Sequence, residues 1–137
     1  GITEATIGAP IRASMDVVEL GRIQGNTAVC CDRLAFDSDG IVVCNRIKAH
    51  TGFAGEYESG LLKMMVIGLG KHVGTAGLHR LGFFAFAKVI PEAAAVLLDK
   101  APILFGIGMV ENAYNQVARI EAMSPDSIFD REKELLQ

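Results

Sequence analysis

Gly40-Ile41-Val42-Val43-Cys44-Asn45 is a continuous apolar run opened by a glycine and closed by an asparagine. Such a run between turn-forming and polar residues predicts a strand buried on both faces, as at the centre of an α/β sheet. Residues just past the carboxyl end of a buried strand are where α/β folds gather their sites. The segment after Asn45 is therefore where chemistry is expected.

Working outward, residues 14–20 and 27–31 predict strands by apolar and β-branched content, with residues 21–26 as the turn between them. Residues 3–10 predict a short helical turn or loop, and residues 32–39 a short helix. Residues 46–59 are irregular, 60–69 a mostly buried helix, 70–77 a glycine-punctuated link and 75–81 another short helix. Pro91 opens a helix that runs through Leu98. Residues 102–110 predict a buried strand, 116–122 a further strand and 127–136 a last helix behind Ser124-Pro125-Asp126. Strands alternating with helices imply an α/β layered domain, with a mixed or mostly parallel sheet flanked by helices.

The 137 residues suit one domain, and half of them are hydrophobic. A mean hydropathy of +0.33 is high for so small a chain. It implies apolar surface covered from outside, by a second copy in a homo-oligomer or by the remainder of its own chain. The start at Gly1-Ile2-Thr3 and the charged close at Gln137 read as an excised part of a larger protein. A net charge of −3 argues against a nucleic-acid surface. No window approaches a membrane span and no secretion signal is visible. The three cysteines, Cys30, Cys31 and Cys44, form no CxxC pair and fit a cytoplasmic chain of buried, reduced thiols.

The candidate site centres on Lys63, inside the apolar run Leu61-Leu62-Lys63-Met64-Met65-Val66-Ile67. Burial of a cation is costly and favours the neutral amine, a nucleophile or an attachment point for a cofactor. The plainer alternative is a lysine whose stem packs while its ammonium reaches water. His50, a few residues past the strand, suits proton transfer; its plainer alternative is a surface loop. His79 reads as a helix-surface histidine or, with Lys63 near, one metal ligand. Lys71 and His72 read as solvated loop. Glu58 reads as a partner for Arg46 or Lys48. Gly52, Gly55, Gly60, Gly68, Gly70, Gly74 and Gly77 are seven of the 15 glycines. They cradle an anion or permit close helix packing.

The stretch from Asp39 through Asn45, His50, Phe53-Ala54-Gly55 and Gly60 to Lys63, ending at His79, resembles the nickel-pincer lactate racemase family. It looks most like that family's uncharacterised relatives with a lactate-racemase N-terminal domain. The order of strand, histidine, Phe-x-Gly, glycine-rich turn, lysine and second histidine is similar, as is the spacing of 16 from Lys63 to His79. The resemblance implies that Lys63 is bound covalently to a pyridinium mononucleotide whose sulfurs and a ring carbon hold nickel. It implies that His79 completes the nickel coordination and that His50 is the acid/base for a 2-hydroxy acid. Gly55 and Gly60 belong to the cofactor-binding turn. The reaction class implied is racemisation or epimerisation by hydride transfer.

Three departures accompany the likeness. The interval from His50 to Lys63 is longer than in the racemases. Leu61-Leu62 stands where the racemases have glycine and arginine. The family's other acid/base histidine and its substrate-binding arginine find no match upstream of Asn45, which leaves the fragment alone inactive. Two other readings stay open: an oxidoreductase-type relative with another cofactor, and a non-catalytic binding or oligomerisation module.

Overall fold

β3 (Ile41–Arg46) runs parallel to β4 (Ile103–Glu111), which pairs antiparallel with β5 (Val117–Met123) in the order β3-β4-β5. The computed structural model describes every residue except Phe53, and Phe83 by its backbone only. The mixed sheet agrees with the expected α/β layering. The expected burial of β3 on both faces does not hold. Ile41 and Val43 are buried, whereas Val42 is 42% exposed and Cys44 is exposed. Register explains why. Val42 lies beside Phe105, Cys44 beside Ile107, and Met109 beside Ile120. These residues form the sheet's uncovered face, where Ile120 is 64% exposed. An uninterrupted apolar run says how sticky a strand is, not how many layers cover it.

The covered face is shaped by glycine. A Cβ on Gly106 would fall on Leu61 and Ile128, and one on Gly108 on Ile47 and Met123. Their absence lets α3 (Leu61–Lys63) and α6 (Ile128–Leu136) approach the sheet. Leu61, Leu62, Met65, Leu97 and Ile128 are fully buried there.

β1 (Val17–Ile23) and β2 (Thr27–Asp32) form a separate antiparallel hairpin that shares the same core. Gln24–Asn26 make the turn, with φ near +63° at both Gly25 and Asn26. β1 starts later than expected and absorbs Gly21-Arg22-Ile23, because these pair with Val29, Ala28 and Thr27. Ahead of it, α1 (Glu4–Ile7) is capped by Thr3 and buries none of its residues. α2 (Arg33–Phe36) is capped by Asp32, whose Oδ1 accepts from Ala35 N at 2.8 Å.

α3 continues as a π-helical turn, Met64–Leu69. Gly70 and Lys71 break it, Lys71 with φ +52°, and α4 (Lys71–His79) follows. The expected glycine link is thus mostly helix. Gly74 and Gly77 let that helix lie on β2, since a Cβ there would come within 3.3 Å of Cys30 and 3.2 Å of Thr27. Lys71 is not solvated loop either: its Nζ pairs with Asp32 Oδ2 at 3.0 Å. α5 (Phe86–Lys100) begins before Pro91, which lies inside the helix rather than at its first turn. Pro91 offers no N–H to the Ala87 carbonyl; buried Phe86, Val89 and Ile90 hold the preceding turn against the core. Cys30 and Cys31 are buried; Cys44 corrects the expectation of three buried thiols. Among the described residues no helix is long and apolar enough to cross a membrane.

Candidate functional site

Beyond β3 the chain closes a loop on itself. Lys48 N donates to Ser59 O at 2.8 Å and Ser59 N returns to Lys48 O at 3.2 Å. Inside this loop the Glu58 carboxylate accepts from His50 N at 2.6 Å and from Gly55 N at 3.2 Å. The expected pairing of Glu58 with Arg46 or Lys48 is therefore not made; Arg46 pairs with Glu111 at 3.1 Å. Loop amides that lack a strand partner need an acceptor, and the nearby carboxylate supplies it. Gly52 N donates to His50 Nδ1 at 2.9 Å. A backbone N–H only donates, so the neutral imidazole carries its proton on Nε2.

Opposite this loop stands the start of α3. Asn45 Nδ2 donates to Gly60 O at 2.9 Å, tying the strand end to the helix start. Glu132, reaching over from α6, accepts from Leu62 N at 3.0 Å. Its residue is 1% exposed. Burial pushes its pKa up to about 7, against the opposing pull of the Leu62 and Leu61 amides. A Cβ on Gly60 would fall on this carboxylate, and one on Gly55 would come within 3.0 Å of the Ala87 Cβ. Both glycines thus have a packing reason for being glycine, and neither lines the cavities beside Lys63.

Lys63 stands at the junction of two cavities. One, of about 250 Å³, is lined by Lys48, Ala49, His50, Thr51, Ser59 and Lys63. The other, of about 260 Å³, is lined by Asn45, Ser59, Lys63, Met64, Ile67 and Gly68. The first presents amines, hydroxyls and an imidazole with no carboxylate, which suits an anion. The second is mostly apolar and suits a flat or aliphatic group. Burial, and after it the Lys48 ammonium, hold the Lys63 pKa below the usual lysine range. The π-helical turn begins directly after Lys63, a distortion often found at functional positions.

The structure brings together His50 and Lys63, 13 positions apart in sequence. It does not bring His79 to either cavity. That imidazole is exposed at the end of α4, edge-on to Phe86 with centroids 5.1 Å apart. His72, in the same helix, is also exposed. Phe53 of the Phe-x-Gly lies outside the described residues. Thr51, Ser59 and the anchor Glu132 do not stand out in the sequence. Ser59 has a weak signal there as the polar residue before Gly60; Glu132, in a charged terminal helix, has none.

No protein-family model matches the chain, and no curated protein matches it. The lysine-tethered group that the resemblance implies fits these residues in part. An amine of lowered basicity opening on one cationic and one apolar cavity fits the tether. The metal half does not gather in the same way: His79 borders neither cavity, and among the described residues no three His, Cys, Asp or Glu side chains cluster to hold a metal ion.

Proposed function

We propose that this chain carries the cofactor lysine and one substrate-facing histidine of a lactate-racemase-like enzyme acting on a 2-hydroxy acid. The observation that supports it is the cavity shared by Lys63, His50 and Lys48. A pyridinium mononucleotide on Lys63 would supply the hydride acceptor. Lys63 is the tether: an amine kept partly out of water is readily acylated. Lys48, with the hydroxyls of Thr51 and Ser59, binds the carboxylate. His50, in the tautomer held by Gly52, donates from Nε2 to the substrate hydroxyl. To take that proton it must first give up the Gly52 contact, because its acceptor nitrogen is already engaged.

Intact-mass analysis and peptide mapping of the protein from a host that makes the cofactor test this reading. A mononucleotide-sized adduct on Lys63, absent from Lys63→Ala, is the expected result. An unmodified Lys63 would overturn it.

A second reading, a non-catalytic assembly module, is favoured by the uncovered sheet face of Val42, Phe105 and Ile120. A tight homodimer dispersed by Ile120→Asp, with Lys63→Ala silent, would favour that reading instead.

A further inference from the structure

The cavity that holds His50 and Lys63 contains a second amine. Lys48 is exposed, and none of the ion pairs among the described residues uses it. Its backbone alone closes the loop, through the reciprocal bonds to Ser59. The side chain is therefore dispensable to the loop, yet it lies beside a half-buried lysine in a cavity lined by no acid. A cation beside an amine nucleophile is a recurrent means of activating it, because the neighbouring charge disfavours protonation.

We propose that Lys48 has a second role in this site: it activates the Lys63 amine for attack on the acyl carbon of an anionic ligand and holds that ligand's negative group during the attack. The inference rests on the reading of Lys63 as the attachment point and adds the residue that makes it reactive. In the step itself the amine lone pair forms the N–C bond. The bond from the acyl carbon to its leaving group breaks with its electron pair, and the amine proton passes to water. Asn45 of β3 and Lys48, His50 and Ser59 of the loop line the space around Lys63. Glu58 is turned to the amides of His50 and Gly55, and Glu132 to that of Leu62. Burial and Lys48 act on Lys63 in the same direction.

The test compares the wild-type chain, Lys48→Met and Lys48→Arg. Each is acylated with acetyl phosphate, an anionic donor that releases phosphate, and with p-nitrophenyl acetate, a neutral one. Peptide mapping reads Lys63 against the exposed Lys88 in the same sample across pH. An unfolded variant would level the two lysines and reveal itself. For Lys48→Met the expected result is a rate profile displaced to higher pH. Lys63 then reacts about tenfold more slowly near neutral pH for every whole pH step of that displacement. The loss is larger with acetyl phosphate, and Lys48→Arg restores both. Equal slowing with both donors would overturn the anion-holding half. Unchanged rates, or a wild-type Lys63 no faster than Lys88, would overturn the activation. Because the probe needs no cofactor, its outcome is independent of whether a mononucleotide is found on Lys63.

Discussion

Two carboxylates hold the two walls of the candidate site, and they do so differently. Glu58 is local: it binds amides eight residues back, at His50, and three back, at Gly55, within its own half-open loop. Glu132 is remote: it arrives from α6, seventy residues beyond Leu62, and is buried under the start of the helix that carries Lys63. The difference lies in solvent. A partly solvated carboxylate on loop amides fixes geometry at little electrostatic cost. A buried one fixes geometry but keeps its charge only against desolvation. The anchor of the wall carrying Lys63 is therefore tied to pH, while the anchor of the His50 wall lies within its own loop; α6 reaches that loop separately, through Lys133 with Glu56 and through Phe129 edge-on to Tyr57.

The largest expected effect comes from breaking the remote anchor. Glu132→Ala leaves the buried α3 amides unpaired and a cavity beside them, a loss of about 3 kcal/mol in chemical denaturation near pH 6. Gly60→Ala, whose Cβ would fall on the same carboxylate, should destabilise in the same assay by about 2 kcal/mol through overpacking.

The pH dependence sharpens the comparison. Glu132 has a folded pKa of about 7, raised from 4.5. The folded state then holds a proton that the unfolded chain releases. The associated stability is fully present below the unfolded value and is lost as pH rises through the folded one. The fall is on the order of 3 kcal/mol between those limits. Glu132→Gln, which keeps an acceptor for Leu62 without the charge, should remove that fall. A wild-type-minus-Gln difference that is flat from pH 4 to 8 would contradict the buried-carboxylate account.

The smallest thermodynamic effect belongs to the local anchor. Glu58→Ala should cost about 1 kcal/mol, yet it should speed hydrogen exchange at the His50 and Gly55 amides without touching Leu62. Matching acceleration at Leu62 would mean that the two carboxylate anchors do not act independently.

Much of this was legible in the sequence where local chemistry decides. The strand before the site, the irregular loop, the buried helix at Lys63 and the positive-φ turn at Gly25-Asn26 follow from apolar content and turn residues. The boundaries that failed were set by distant partners. Gly74 and Gly77 suggested a link, but β2 lies close enough to need them in a helix. Pro91 suggested a helix start, but the core contacts of Phe86, Val89 and Ile90 extend the helix ahead of it. The run Ile41–Arg46 could not reveal that one of its faces is uncovered. In the site, His50 and Lys63 were legible because a polar residue past a strand and a lysine in an apolar run each violate a local expectation. Glu132 was not, since acidic residues in a terminal helix usually face water, and only the tertiary fold buries this one.

Central to the proposed chemistry is that His50 and Lys63 face one ligand. The most direct measurement is an NMR titration of the protein, with lysine ε-carbons and histidine rings labelled, against lactate. Saturable shifts at Lys63 and His50 that follow one binding curve, with Lys48→Met weakening both, are the expected result. A response at only one of the two residues, or separate curves for each, would contradict a shared site.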